Sequence, residues 1–332
     1  MSAKLPTSGL QSTPLRASAA GDQTGDPATS SPQPLQASGP SLGSVRQIVS
    51  DYVALTKPGI LSLLLATTLA GMMVAAKGFP AFSLVFWTMI GGLLSAGGAN
   101  ALNCYIDRDI DQLMTRTRNR PSAAGRIAPR SVLTFGIALT IISFFILAIF
   151  ANLLAAFLAL IGCLYYVLVY TLYLKRRTPQ NIVIGGAAGA MPPVVGWAAV
   201  TGGLGVAPVL MFMLIYYWTP PHFWALALLK QGDYGRAAVP MLPVVAGEME
   251  TRRQIVLYTV LMVAVSLLLL PFGLGEIYFV SAIALGAIFL LLALQLYRTG
   301  SKHFARLTFF YSLWYLALIF TAMVVDRMVL GG

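Results

Sequence analysis

The chain has 332 residues, 58% of them hydrophobic and only 10% charged. A soluble domain carries about 25% charged residues, so water-soluble globular folds are excluded, and the apolar fraction excludes a disordered chain. Lys and Arg number 22 against 11 Asp and Glu, a net charge of +11; in a membrane chain such an excess marks loops on one side of the bilayer.

Residues 1–45 are rich in Ser, Pro, Gly, Gln and Thr, and the first aromatic residue is Tyr52. Such a segment cannot bury enough surface to offset chain entropy, so a disordered N-terminal tail is expected there, followed by one transmembrane domain over 46–332. The tail has no apolar stretch of the kind a secretory signal needs. Its Ser content with Lys4 and Arg16 faintly suits an organelle transit peptide, against which Asp22 and Asp26 count.

Uncharged stretches then run over 59–76, 78–106, 131–174, 178–229, 254–275, 277–297 and 307–325. A bilayer span needs about 20 mostly apolar residues. The third and fourth stretches each fit two spans, with turns at Asn152 and at Gly202-Gly203-Leu204-Gly205, so nine spans are expected. In lipid every backbone group must pair within its segment, so the spans are helices and the fold is all-α. Twenty of the 22 basic residues fall on the side that holds the tail; only Lys77 and Arg327 fall on the other. The basic side is therefore cytoplasmic, or matrix-facing in an organelle, and the split removes the case for a nucleic-acid partner. The two cysteines, Cys104 and Cys163, read as apolar side chains rather than a disulfide or metal pair.

The end of the second span reads ANALNCYIDRDIDQLMTRTRNRP. Asn103, Asp107 and Asp111 are four apart. On one continuous helix they drift about 40° per step and rise about 6 Å, forming a polar column that climbs out of the membrane, with Asp109 on another face. Two carboxylates and an amide oxygen are hard ligands that suit Mg²⁺; the alternative is a solvated helix end. Arg116, Arg118, Arg120 and Arg126 follow, and Lys175, Arg176 and Arg177 end the fourth span. These suit a diphosphate clamp, and equally serve as positive-inside anchors. Lys230 and Asp233 leave the sixth span on the same side, matching the place of Asp107 after the second. His222 lies inside the sixth span after Pro220-Pro221. It reads either as a ligand for a metal ion such as haem iron or as a partner for a carbonyl freed by the prolines. His303 reads as a surface residue.

Taken together, these residues resemble the intramembrane aromatic prenyltransferase (UbiA-type) superfamily, and within it the heme branch. The first signature is the column Asn103, Asp107, Asp111 followed by MTRTRNRP; the second is TPPHFWALAL with DYGRAAVPMLPVV. DYVALTKP at 51–58, YTLYLKRRTPQNIVIGGAAGAMPPVVGW at 170–197 and SKHFARLTFFYSLWYLAL at 301–318 also match. The column marks only the superfamily, whereas the PHFWALAL and DYxxAxxPMLP strings are specific to the heme branch. One departure is Ala237, which stands where the wider superfamily has the last Asp of a second column.

The resemblance implies helices surrounding a central cavity that opens to the cytoplasmic or matrix side. It implies transfer of a farnesyl group from farnesyl diphosphate to the vinyl group of heme b, with addition of water, giving heme o and diphosphate. Mg²⁺ would be held by Asn103, Asp107, Asp111 and Asp233. Arg116, Arg120, Lys175, Arg176 and Lys230 would hold the diphosphate, and His222 the heme. Membrane lipid, and heme A synthase or oxidase assembly factors, are the implied partners. The location would be a bacterial cytoplasmic membrane or, alternatively, the mitochondrial inner membrane. Rival readings are a prenyltransferase acting on a quinone or chlorophyll-type acceptor, and a secondary transporter, whose acids should lie near the midplane rather than at the mouth.

Overall fold

The computed structural model describes residues 42–330, and all of their regular structure is helical. Helix α1 (Leu42–Thr56) precedes α2 (Pro58–Ala76) and α3 (Phe82–Ile106). A short α4 (Arg108–Leu113) leads to α5 (Pro129–Phe150) and α6 (Leu153–Leu164), which continues as a π-helical segment over Tyr165–Leu174. Next come α7 (Asn181–Thr201), α8 (Val206–Leu229), the short α9 (Gln231–Arg236) and α10 (Leu242–Val245), α11 (Gly247–Leu268), α12 (Glu276–Thr299) and α13 (Lys302–Leu330). Of the expected tail, residues 1–41 lie outside the described residues, while 42–45 belong to α1.

Eight of the described helices are long and apolar enough to cross a membrane. The ninth long helix, α8 with 24 residues, falls outside that set because Tyr216, Tyr217, Pro220, Pro221 and His222 dilute its apolar content. It packs against α7, α11 and α13, so its polar and aromatic groups face protein. Each long helix touches the next in chain order, and α13 returns to α2, closing a ring of nine. The ring is pinched by α2 lying on α7, the span with the largest buried share. There, a side chain at Gly196 would collide with the carbonyl oxygen of Thr68, and one at Gly71 with that of Pro193. Two glycines therefore set how closely these backbones approach. Ile141, Phe145, Phe157, Ile161 and Leu168 are exposed on the outer surface, as a lipid-facing wall requires.

Both expected turns are present. Asn152 N-caps α6, accepting from the Ala155 N–H at 2.8 Å and donating to the Ala198 carbonyl at 2.8 Å. Gly202 ends α7 in the left-handed region, at φ 67°. The connections 77–81, 151–152, 202–205 and 269–275 are short. The opposite end carries the two long connections, although residues 247–253 of the second already belong to α11.

Candidate active site

The continuous helix expected over Asn103–Asp111 is not observed. Helix α3 stops at Ile106, Asp107 takes φ −86° and ψ 3°, and α4 starts at Arg108. Such a break orphans carbonyls, and nearby arginines take them up: Arg108 donates to the Tyr105 carbonyl at 2.7 Å and Arg176 to that of Ile106 at 3.0 Å. Thr117 closes α4 by donating to the Asp111 carbonyl at 3.0 Å. Asn103, Asp107 and Asp111 are nonetheless all buried, with Asp107 at 0% exposure.

Each of these three polar groups is held by a cation. Lys57 Nζ donates to Asn103 Oδ1 at 2.6 Å. Lys175 Nζ donates to Asp107 Oδ2 at 2.5 Å, and Arg120 to Asp111 Oδ2 at 2.7 Å. The Asn103 amide group donates to Asp107 Oδ2 at 2.7 Å and to the Thr171 hydroxyl at 3.0 Å, tying the set together. Asp107 Oδ1 is buried with no hydrogen-bond partner.

Local backbone geometry puts the cations there. Lys57 joins α1 to α2 in the left-handed region, at φ 55°. Lys175 ends the π-helical segment, whose five-residue spacing shows in the Lys175 N–H to Tyr170 carbonyl bond (2.8 Å) and the Thr171 hydroxyl to Tyr166 carbonyl bond (2.8 Å). The same segment stacks Tyr166 on Tyr170 at 5.4 Å between ring centres, and both line the cavity. Burial pulls the Lys57 ammonium down to about 8. The Arg120 guanidinium sits above its ordinary value: burial, the largest single effect, lowers it, and the charge and hydrogen bond of Asp111 together with the nearby Cys104 and Tyr166 outweigh that. On α1, Asp51 accepts from Arg126 Nε and Nη2 at 3.0–3.1 Å, and this fork holds its carboxyl below the usual range.

A cavity of about 480 Å³ runs inward from this cluster. Lys57, Asn103, Asp111, Arg116, Arg120 and Lys175 stand at its mouth; Thr68, Trp218, His222 and Phe309 line its depth. His222 precedes Lys230 by eight residues, about 12 Å along α8. Its Nδ1 lies 2.6 Å from the Ser312 hydroxyl, not against a proline-freed carbonyl.

Not every expected residue joins the set. Arg176 binds Asp109, at 2.6 and 2.7 Å, and holds that carboxyl down at about 2; it reaches Asp107 Oδ1 only at 3.9 Å. Asp233, on α9, is held by Arg236 and by the Thr115 hydroxyl at 3.2 Å, and does not line the cavity. Lys230 caps α8 and is exposed. The chain breaks at Lys230 before α9, which carries both away from the oxygen cluster. Among the described residues no three Asp, Glu, His or Cys side chains converge, so the four expected metal ligands do not form one cage. Sequence reasoning missed Lys57, Tyr166, Tyr170, Thr171, Tyr234 and Ser312. Of these, only Lys57 carried a signal, as a cation directly before a span-opening proline. Burial holds the Tyr234 phenol above its ordinary range, with Arg116 bonded to it.

Comparison with known proteins fits this geometry. The family model described as "UbiA prenyltransferase family" matches residues 64–316. The protoheme IX farnesyltransferase of Roseiflexus sp. (strain RS-1) is 54% identical over 283 residues, 85% of this chain and 53% of that protein. The protein of the same name from Trichodesmium erythraeum is 51% identical over 288 residues, 86% of this chain and 88% of that protein. The chain thus spans about half the length of the first relative and most of the second. A digeranylgeranylglyceryl phosphate synthase structure aligns with TM-score 0.72 at 18% identity, covering 86% of this chain and all of that one. A UbiA homolog from Archaeoglobus fulgidus, bound to DMAPP and Mg²⁺, aligns with TM-score 0.60 at 15% identity, covering 83% and 99%. At such identities these structures speak for the fold. By its sequence model, its full-length relative and its ring of long helices, this integral, multi-pass membrane chain belongs to the UbiA prenyltransferase family.

Proposed function

We propose that this chain transfers the farnesyl group of farnesyl diphosphate to the vinyl group of heme b, with water addition, giving heme o and diphosphate. The observation that carries the reading is one cavity with a charged mouth and an aromatic, apolar depth: Asn103 and Asp111 with Lys57, Lys175 and Arg120 above, Trp218, His222 and Phe309 below, and Asp107 buried behind the mouth against Lys175. A substrate with an anionic head and a greasy body fits such a gradient. Relatives named protoheme IX farnesyltransferase, together with the PHFWALAL and DYGRAAVPMLP strings, support heme b as the acceptor.

The residues fit a Mg²⁺ ion. Asp107 Oδ1 is a buried carboxylate oxygen with no hydrogen bond, its nearest cation Arg176 at 3.9 Å, and Asp111 and Asn103 add two more hard oxygens. That falls short of a full protein cage and suits an ion that completes its shell with water and substrate phosphate. When bound, Mg²⁺ supplies charge neutralisation for the leaving diphosphate. Asp233 would join that set only after α9 moves toward the mouth.

The chain's own groups do the rest. Arg116, Arg120, Lys57 and Lys175 bind the diphosphate as its bond to farnesyl C1 breaks heterolytically and the electron pair leaves with oxygen. Arg176 and Lys230 would support the same anion from further out. The Tyr166 and Tyr170 faces line the space where the allylic cation forms. Apolar walls exclude water until the vinyl group has attacked C1. The resulting cation beside the porphyrin takes up one water and loses one proton. The basic loops support a mouth that faces the cytoplasm in a bacterial membrane, or the matrix in a mitochondrial one.

Purified full-length protein supplied with heme b, farnesyl diphosphate and Mg²⁺ should yield a pigment heavier by one farnesyl group and one hydroxyl group. Unchanged heme, with farnesyl diphosphate consumed only when a quinone acceptor is present, would overturn the reading.

A further inference from the structure

His222 is clamped on both ring faces. Trp218, one turn earlier on α8, stacks on it at 4.5 Å and 15°, and Phe309 of α13 on the other face at 4.8 Å and 24°. Trp218 is itself pinned, its indole N–H donating to the Ser312 carbonyl at 2.7 Å. The ring cannot tilt, so the remaining variable is which nitrogen carries the proton.

Ser312 decides that. Its Oγ lies 2.6 Å from His222 Nδ1 and 2.6 Å from the Phe309 carbonyl oxygen. A hydroxyl has one proton and a carbonyl none. The Ser312 proton must therefore point to Phe309, because two bare oxygens that close would repel. Oγ then turns a lone pair toward Nδ1, and Nδ1 has to carry a proton to meet it. The opposite tautomer leaves one of these short contacts without a proton, at a serine with 0% exposure. No ion pair among the described residues involves His222. In the neutral ring Nε2 is thus a bare lone pair. It has no hydrogen-bond partner among the described residues, and the side chain lines the cavity. A histidine kept only for packing would have both nitrogens satisfied; here one is fixed and the other is open.

We propose that Ser312 is a positioning residue: it locks His222 as the Nδ1–H tautomer and so presents Nε2 to the cavity as an axial ligand for the metal of a porphyrin acceptor. The proposal rests on the heme reading above and adds its ligand and the group that orients it. A ligating histidine whose other N–H is engaged has a fixed ring and a more basic lone pair.

The sequence makes the test direct, because His222 and His303 are its two histidines. In ¹⁵N-histidine-labelled full-length protein, with His303→Asn to assign the signals, long-range ¹H–¹⁵N spectra should show His222 protonated at Nδ1 and bare at Nε2. Ser312→Ala should shift it toward the Nε2–H form, and Ser312→Thr should keep Nδ1–H. A wild-type ring protonated at Nε2, or an unchanged tautomer in Ser312→Ala, would overturn the role of Ser312. Zinc protoporphyrin IX should then move the Nε2 resonance while metal-free protoporphyrin IX does not. Ser312→Ala should weaken zinc porphyrin binding by about 10- to 100-fold, as loss of an outer-shell partner does. Equal effects of the two porphyrins would overturn ligation. Failure of both to bind, read by absorbance, would overturn the heme reading and the ligation with it, leaving the tautomer result to stand on its own.

Discussion

Replacing Lys175 by Met should let Mg²⁺ bind without diphosphate. In the structure each oxygen donor suited to the ion is engaged by a cation suited to the anion: Asp107 by Lys175, Asp111 by Arg120 and Asn103 by Lys57. The Lys175–Asp107 contact, at 2.5 Å, joins side chains 15% and 0% exposed. At that separation the attraction is about 7 kcal/mol for an effective dielectric of 20. Desolvation takes back part of it, and removing one member of such a buried pair costs about 3–5 kcal/mol. A lone Mg²⁺ must displace Lys175 and still sit beside it, whereas Mg²⁺ arriving with diphosphate gives the lysine a new anion. Wild-type protein should therefore bind Mg²⁺ weakly alone and about 10- to 100-fold more tightly with inorganic diphosphate present, a coupling of about 1.4–2.7 kcal/mol. Diphosphate affinity should rise by the same factor with Mg²⁺, since linkage is reciprocal. In Lys175→Met the buried Asp107 carboxylate keeps only the Asn103 amide at 2.7 Å and the more distant Arg176 at 3.9 Å. The variant should unfold at a lower temperature, gain affinity for Mg²⁺ alone by at least about 10-fold, and recover more thermal stability on adding Mg²⁺ than wild type does. The assay is titration calorimetry in detergent, corrected for the Mg²⁺–diphosphate complex in solution, with thermal melts alongside. Tight binding of Mg²⁺ alone to wild type, or unchanged affinity in Lys175→Met, would refute this reasoning.

Asp107→Ala and Asp111→Ala should each abolish heme o formation in protein that still elutes as a folded species, while Asp109→Ala keeps most of it, because Asp109 faces Arg176 outside the cavity; equal loss in all three would refute the assignment. Binding of inorganic diphosphate should weaken as pH rises through about 8, where buried Lys57 gives up its proton and its attraction for the anion. That step should vanish in Lys57→Met, and a step of equal size in the variant would assign it elsewhere. Gly196→Ala should cost about 1–3 kcal/mol or more, since the new methyl meets the Thr68 backbone rather than a side chain that can turn aside; an unshifted unfolding temperature would show that α2 and α7 can separate freely.

Span positions were legible because bilayer solvation dictates them. The apolar runs around Asn152 and Gly202 had to be divided, and the structure divides them there. Helix α8 was legible by length but not by hydropathy alone, since Tyr216, Tyr217 and His222 face protein and cavity rather than lipid. The aspartates and the clamp arginines were legible as charges that a membrane edge does not otherwise collect. Their partners were not. Periodicity assumes an unbroken α-helix, and it puts Asp111 about 40° and 6 Å on from Asp107 in one column, whereas the chain turns at Asp107 and Arg120 comes back to Asp111 from the following loop. Arg176 and Lys175 look equivalent in sequence. One residue of difference at the end of a π-helical turn brings Lys175 to within 2.5 Å of the buried Asp107, while Arg176 binds the exposed Asp109 at 2.6 Å and stays 3.9 Å from Asp107.

The residues that make up the site share a backbone cause. Lys57 sits at a left-handed joint, Asp107 at the break between α3 and α4, and Lys175 at the end of the π-helical segment. His222 directly follows Pro220-Pro221, which cannot donate to the helix ladder. A regular helix points its side chains around a cylinder at fixed angles, so nine regular helices would offer the cavity whatever their apolar stripes happen to face. Each departure re-aims one polar side chain inward, and at the break after α3 the freed backbone groups are satisfied by Arg108 and Arg176, at the carbonyls of Tyr105 and Ile106. In a bilayer, where an unpaired carbonyl is costly, those partners are what permit the irregular turns to persist. The polar cluster and the broken helices are therefore one feature: remove the arginine that holds the Ile106 carbonyl, and Asp107 loses the turn that aims it.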